Sequence, residues 1–333
     1  MGKNNQNIRK YKQFNYPGSQ TGGKTLLTGI RNVECSDKKY ICGFYEPSTD
    51  QKDQQTKSFV YKGPVNKGPV KKCIKQKHTK KWYELYYPGA DITNLYGPAN
   101  DECGGIQIVG NYTNYDSNNI IGCMYRGPLN GSGKWTELIP TLDNDIKNTI
   151  AHSTMKNIVV GNYDTLVIQG KAFIYDIKSK KYYNITHSEK DIISITAYGV
   201  WYNGCGSYTI CGGYVSSENK DIEMGYLVDW NNKKKVLHNW RSYNYKNNPS
   251  KSSITHFDGI SGTKKGYALT GDAVYDGKLI AFSCKVNDDK TKWEEISFPN
   301  STSTSGNSVY KDIIIGVYNT NKNTSVNGYV SFL

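Results

Sequence analysis

Apolar residues come in short runs along this chain, each broken by polar or glycine-bearing stretches, which is the spacing of strands rather than helices. One run recurs: an apolar residue, any residue, glycine, any residue, then usually tyrosine. It reads Ile41-Cys42-Gly43-Phe44-Tyr45, Ile108-Val109-Gly110-Asn111-Tyr112, Val159-Val160-Gly161-Asn162-Tyr163 and Ile210-Cys211-Gly212-Gly213-Tyr214. Leu269-Thr270-Gly271-Asp272-Ala273 is a weaker copy, and Ile314-Ile315-Gly316-Val317-Tyr318 is the sixth. The glycines lie 67, 51, 51, 59 and 45 residues apart. Such periods fit one four-stranded propeller blade each.

A second pattern follows at a fixed place in each period. Lys81-Trp82-Tyr83-Glu84-Leu85 matches Lys134-Trp135-Thr136-Glu137-Leu138 and Lys292-Trp293-Glu294-Glu295-Ile296, with looser copies at Lys181-Tyr182-Tyr183-Asn184-Ile185 and at Lys235 to Trp240. An apolar strand lies between the two patterns and a short strand precedes each glycine. The strands are therefore a, b (the glycine motif), c and d (the Lys-aromatic motif). The sixth period ends after c. Its missing d strand stands at the other terminus, where Lys10-Tyr11-Lys12-Gln13-Phe14-Asn15-Tyr16-Pro17-Gly18 aligns with Lys81 to Gly89.

The predicted fold is all-β: a six-bladed β-propeller of four-stranded blades, its ring closed by residues 10–17 completing the last blade. The blades fall at roughly 25–88, 93–140, 148–187, 193–243, 252–299 and 305–333 plus 10–17, in one domain. Closure would remove an exposed sheet edge. The b strands, covered on both faces, need not alternate, and their glycines would let a neighbouring blade approach closely.

The chain has 28 Tyr against 8 Phe, a choice that suits half-buried strands. No apolar run is long enough to span a membrane, and the polar, basic first residues do not read as a secretory signal. The net charge of +13 is unevenly placed. Residues 1–92 carry 18 Lys and Arg against 7 Asp and Glu, and much of the excess sits in an insertion at 63–80 in the c–d loop of the first blade. Lys67, Lys71, Lys72, Lys75, Lys77, Lys80 and Lys81 form a candidate polyanion site for nucleic acid or an acidic glycan. The competing reading is a solvated loop. The a–b and c–d loops share one face, which places the insertion near Cys35 and Cys103.

The run from Val159-Val160-Gly161-Asn162-Tyr163 to Lys171-Ala172-Phe173-Ile174-Tyr175 resembles the HAF-type extracellular repeats, a resemblance that covers most of the chain and implies a propeller without a particular chemistry. The abundance of Asn, Lys, Ile and Tyr resembles the proteins of mimivirus-like giant viruses. That resemblance implies a virion or infection-stage protein.

Eight cysteines are present, without the paired spacing of a zinc site. Cys35 and Cys205 occupy equivalent a–b loops, and Cys42 and Cys211 equivalent b strands. Disulfides Cys35–Cys42 and Cys205–Cys211, with Cys103–Cys123 beside them, are one reading, and buried thiols are the other. Disulfides would require an oxidising compartment. A giant-virus particle meets that requirement, since the resemblance implies viral thiol oxidases.

No catalytic, metal or cofactor motif stands out. Gly18-Ser19-Gln20-Thr21-Gly22-Gly23-Lys24-Thr25 has P-loop spacing but runs into a predicted strand, so no helix N-terminus awaits a phosphate. His152 and His256 lie in equivalent a strands, which directs both to the central channel as a metal or base pair or as satisfied polar residues. Asp143/Asp145, Asp288/Asp289 and Glu294/Glu295 read as solvated charge. The leading expectation is a non-enzymatic module for protein interaction or virion assembly, its protein partner unspecified. Polyanion binding is the second and a carbohydrate-active propeller the third; a glycosidase would need acids converging at the channel mouth.

Overall fold

The computed structural model describes residues 9–19, 23–46, 56–65, 81–117, 119–168, 170–288, 290–320 and 323–332. They form antiparallel meanders. After β1 (Lys10–Gln13), the first meander is β2 (Lys24–Asn32), β3 (Lys38–Glu46), β4 (Lys57–Pro64) and β5 (Trp82–Glu84), paired in that order. The second is β6 (Ile92–Asn100), β7 (Ile106–Thr113), β8 (Ile120–Gly127) and β9 (Lys134–Leu138). The third is β10 (Ile146–Met155), β11 (Ile158–Thr165), β12 (Lys171–Asp176) and β13 (Lys181–Asn184). A parallel bridge from Asn148 to Ile120 merges these two into an eight-stranded sheet.

In the fourth meander the inner strand is broken into β14 (Ile192–Ile195) and β15 (Gly199–Gly204), followed by β16 (Ser207–Ser216), β17 (Asn219–Asn231) and β18 (Val236–Tyr243). A 3-10 turn, Tyr245–Asn247, leads to β19 (Ser252–Gly262), β20 (Gly266–Tyr275), β21 (Lys278–Asn287) and β22 (Lys290–Ile296). A bridge from Glu223 to Ile254 joins these into a nine-stranded sheet. Finally β23 (Ser303–Tyr310), β24 (Ile313–Thr320) and β25 (Asn323–Phe332) are completed by β1. Gln13 pairs with Tyr329 as Glu84 pairs with Phe59, so the N-terminal strand stands where the alignment with Lys81 to Leu85 puts it.

The buried side chains explain why the meanders stack. Each apolar cluster is shared by two neighbours. Leu85 and Val60 of the first meet Leu95 and Ile108 of the second. Val109 and Leu138 meet Val159 and Phe173. Ile174 and Ile185 meet Val200 and Tyr226, and Leu227 meets Phe257 and Leu269. Ala281 and Ile296 meet Ile314 and Tyr329. The last cluster, with Ile315 and Val330 against Leu27 and Ile41, returns to the first meander. The inner strands touch in the same cyclic order: β2, β6, β10, β15, β19, β23 and β2 again.

The recurrent b-strand glycine answers to a contact inside its own meander, not to a neighbouring one as the sequence suggested. A β-carbon at Gly43 would lie 1.9 Å from the Leu26 carbonyl oxygen on the paired inner strand, and one at Gly271 would lie 1.9 Å from the His256 carbonyl oxygen.

The tyrosine two residues on and the d-strand glutamate are two halves of one contact. Tyr45 Oη donates to Glu84 Oε1 at 2.6 Å, and Tyr112 Oη to Glu137 Oε1 at 2.6 Å. A ring from the d–a loop stacks on each tyrosine, Tyr16 on Tyr45 at 4.0 Å and Tyr87 on Tyr112 at 3.9 Å.

The six cysteines offered as disulfide partners are free thiols: Cys35, Cys103 and Cys205 are exposed, and Cys42, Cys123 and Cys211 are buried. Geometry forbids the pairs. Cys42 pairs with Gly29 and Cys211 with Gly199, several residues up the hairpin from the turns that hold Cys35 and Cys205. Cys123 pairs with Gly110, equally far from the Cys103 turn. At ~3.3 Å per residue each separation exceeds the roughly 7 Å between α-carbons that a disulfide tolerates.

Candidate functional site

Every inner strand carries one extra residue at the same level. The register slips between Leu27 and Gly29, Leu95 and Pro98, Ala151 and Ser153, Phe257 and Gly259, and Gly306 and Ser308. In the fourth meander the same slip is the break between β14 and β15. A bulge turns one side chain out of the alternating pattern. The residues turned are Thr28, Tyr96, His152, Tyr198, Asp258 and Asn307, each half-buried between two buried neighbours. Together with Asp272 and Ser305 they line one cavity of about 170 Å³ where the inner strands come together.

The next residue along is Gly or Ser in each case, because the adjacent inner strand passes there. A β-carbon at Gly97 would lie 2.6 Å from the Ser153 α-carbon. Beyond this collar the throat narrows to about 20 Å³, room for a single water. Arg31 closes it, fully buried, donating to the carbonyl oxygens of Ile260 at 3.1 Å and Val200 at 2.9 Å. The cavity therefore lies toward the face of the b–c and d–a loops.

One side of the cavity is acidic. Glu223 from β17, Asp258 from β19 and Asp272 from β20 surround His256, whose Nδ1 is 3.4 Å from Glu223 Oε1 and whose Nε2 is 3.6 Å from Asp258 Oδ2. Gly213 makes room for this, since a β-carbon there would lie 2.1 Å from Glu223 Oε1. Burial disfavours charge on His256, but Asp258, the hydrogen bond with Glu223, and Asp272 outweigh it and hold the imidazole at about 9. Burial, with Asp272 and Glu223 adding to it and His256 opposing, pushes Asp258 up to about 8.

Asp272 is also raised by burial, against the Ser305 hydroxyl, His256 and the Gly306 N–H. Ser305 Oγ lies 2.7 Å from both Asp272 Oδ2 and Asn307 Oδ1.

His152 is a different histidine. It is half-buried and lowered to about 4 by desolvation, with Nε2–H donating to Asn162 Oδ1 at 2.5 Å. Tyr198 bridges the two imidazoles, its ring 4.6 Å from His152 and 5.8 Å from His256. His152 lines the channel cavity, whereas His256 stands behind Asp258 and Asp272, so the two are not equivalent. His152 is a bulge residue at the level of Asp258, and His256 sits two residues earlier on its strand. Ligand atoms of His256, Asp258 and Asp272 lie within 4.8 Å of one another, a donor set that a divalent cation could use. Either protons or such a cation would balance the excess of carboxylates over the single imidazolium.

The other candidates lie elsewhere. Lys67, Lys71, Lys72, Lys75, Lys77 and Lys80 fall outside the described residues. Lys81 is exposed at the start of β5, its carbonyl accepting from Lys62 N–H at 2.8 Å. Lys24 and Thr25 of the P-loop-like segment sit in β2, where Lys24 pairs with Glu46 at 2.8 Å. Asp143 holds Lys171 at 2.9 Å, and Glu294 holds Lys292 at 2.7 Å and Arg9 at 3.4 Å. Asp258, Asp272 and Glu223 escaped notice, although for Asp258 a signal existed: an apolar or small residue, a variable residue, then Gly or Ser, once in every inner strand.

No protein-family model matches the chain, and no curated protein is similar to it in sequence. Among solved structures it is similar to a subtype N11 neuraminidase-like protein of A/flat-faced bat/Peru, with 8% sequence identity and a TM-score of 0.50 over 98% of this chain and 94% of that one. At that identity the likeness is one of fold: an all-β chain resembling a neuraminidase-type propeller.

Proposed function

We propose that the chain is a six-bladed propeller and that it is carbohydrate-active, cleaving a glycosidic bond at the channel mouth. The observation that carries this reading is the convergence of Asp258 and Asp272, from neighbouring strands, on one water-accessible cavity in different environments. Pairs of carboxyls whose surroundings separate their proton affinities divide the roles of acid and base. Burial, with Asp272 and Glu223 adding to it, raises Asp258, so of the two carboxyls it is the proton donor to the leaving oxygen. Asp272 accepts hydrogen bonds from Ser305 Oγ at 2.7 Å and Gly306 N–H at 3.3 Å. Those donors favour its ionised form over that of Asp258, making it the nucleophile or base.

Their oxygens approach within 4.8 Å. That is nearer the roughly 5 Å spacing of retaining glycosidases than the 6.5–9.5 Å or so of inverting ones. Tyr96 and Tyr198 supply ring faces, and Thr28 and Asn307 supply hydrogen bonds. A volume of about 170 Å³ admits a single sugar ring, below the ~300 Å³ usual for larger ligands. The substrate is uncharged at that ring, because His256 is already neutralised by carboxylates and Arg31 points to backbone carbonyls on the far side of the collar.

The test is turnover of a panel of neutral aryl glycosides by the wild type and by Asp258→Asn and Asp272→Asn. Both variants should lose activity by 100-fold or more, on the order expected for a general acid. Failure to cleave any of the panel, or full activity in Asp258→Asn, would sink the reading. An interaction platform is the second reading, favoured by an apolar ledge in which Leu166 and Val167 are 71% and 90% exposed beside Ile168 and Ile193. It predicts self-association or partner capture that Val167→Asp abolishes.

A further inference from the structure

The opposite face of the ring, away from the channel mouth, carries the a–b and c–d turns. Where the third and fourth meanders meet, these turns are crowded with lysine. Lys178, Lys180 and Lys181 leave the β12–β13 turn, Lys233 and Lys234 leave the β17–β18 turn, and Lys156 sits in the β10–β11 turn; all six are exposed. None makes an ion pair among the described residues. The carboxylate in their midst is already committed. Asp176 is 3% exposed, pairs with Lys235, and accepts from Asn157 Nδ2 at 2.7 Å and from the Lys178 N–H at 3.0 Å. Those bonds also clamp the turns to one another, so the charges cannot drift apart to relieve their repulsion.

A groove of about 580 Å³ starts at these turns and runs along the outer rim between the edge strands β13 and β18. Its walls are aromatic and imidazole rings, with Tyr182, Tyr183 and His187 on one side and His238 and Trp240 on the other. Strand β18 is built for it. The register slips between Leu227 and Asp229, where β18 carries one extra residue and Asn239 adopts a positive φ of 53°, with Val236–His238 paired to β17 beyond it. His187 Nδ1 accepts the Glu189 N–H at 3.0 Å, which makes Nε2 the protonated nitrogen of the neutral ring.

We propose that this groove and its lysine rim bind single-stranded nucleic acid. Phosphates lie against the lysine turns and bases lie on the ring-lined walls, where His187 and Trp240 already meet edge-on at 4.9 Å. Lysine turns alone would suit any polyanion; the ring-lined groove beside them favours a strand in which every unit carries both a phosphate and an aromatic base. A duplex keeps its bases stacked on one another and has no free base face to offer those rings.

The experiment is fluorescence anisotropy of the full chain with a labelled oligothymidylate, across a salt series. Size-matched heparin and duplex DNA serve as competitors. If about four phosphates are neutralised, affinity for the single strand falls roughly 50-fold between 50 and 200 mM salt. Lys180→Glu/Lys181→Glu/Lys233→Glu/Lys234→Glu should weaken binding at least tenfold and flatten the salt slope. His187→Ala/His238→Ala should weaken the oligothymidylate at least threefold and leave heparin unchanged. The proposal is overturned if nothing binds at low salt, or if heparin or duplex DNA binds as tightly as the single strand. It is also overturned if the lysine variant binds like the wild type, which would move polyanion binding to the 63–80 insertion.

Discussion

Arg31 Nη2 donates to the Val200 carbonyl oxygen at 2.9 Å across the centre of the ring, though the two residues are 169 apart in sequence. Nη1 reaches Ile260 as well, and the Trp201 ring lies 5.3 Å from the guanidinium. One side chain from the first meander thus ties the fourth and fifth together where only inner strands meet. Burial lowers its proton affinity, to about 10, so it stays charged at any ordinary pH. Truncating it would orphan two buried carbonyls, each worth about 1–3 kcal/mol. Arg31→Ala should lose about 2–4 kcal/mol in urea unfolding, and a loss under about 0.5 kcal/mol would show that the plug is dispensable.

The b-strand glycines should tolerate no side chain. At Gly43 a β-carbon would meet backbone, which cannot swing aside. Gly43→Ala should therefore cost about 3 kcal/mol or more, the upper end of overpacking, against about 1 kcal/mol for alanine at Gly89, where a β-carbon would meet nothing within 4 Å and only the positive φ of 77° is strained. Equal effects at the two sites would contradict the bulge geometry.

Glu84 accepts both the Tyr45 hydroxyl at 2.6 Å and the Tyr16 hydroxyl at 2.9 Å. Tyr45 is buried, so Glu84→Ala leaves its hydroxyl without this acceptor. A loss of about 1–2 kcal/mol is expected, and Tyr45→Phe in the same background should recover part of it. Additive losses in that double-mutant cycle would mean the contact is not energetically coupled.

Stability should fall as pH rises. Asp258 is raised to about 8 from roughly 3.9 in an unfolded chain. A raised carboxyl favours the fold in its protonated form, so that contribution is whole below pH ~4 and lost as pH climbs through 8. His256, held at about 9 against roughly 6.5 unfolded, acts in the same direction between those values. Melting temperatures from pH 5.5 to 9 should decline in the wild type, and the part below pH 8 should be flattened in Asp258→Asn. A wild type equally stable across that range would rule out the buried cluster.

The cysteines should divide by exposure. In the native protein a maleimide should label Cys35, Cys103 and Cys205 at once and leave Cys42, Cys123, Cys211 and Cys284 until unfolding. Burial pushes the Cys42 thiol up to about 12, which also keeps it unreactive. Labelling patterns that match with and without reductant are expected; reductant-dependent labelling of Cys35 or Cys205 would revive the disulfides.

The sequence by itself determined the repeating meander and the strand that completes the last one. Those features are local and periodic: Gly316 recurs because a carbonyl occupies its β-carbon's place, and Tyr11 takes the position of Trp82 because both pair with a c strand in the same register. Which side chains meet at the centre was decided only by the tertiary structure. A one-residue bulge shifts the facing of a strand without altering its composition, so Asp258 and His152 came to one level while His256 was set two residues back. Convergence of Glu223, Asp258 and Asp272 on one imidazole depends on three strands of two neighbouring meanders, and no spacing along the chain encodes that distance. Cys35 and Cys42 teach the same physics in reverse: seven residues apart in sequence, they are kept apart by the rise of an extended strand.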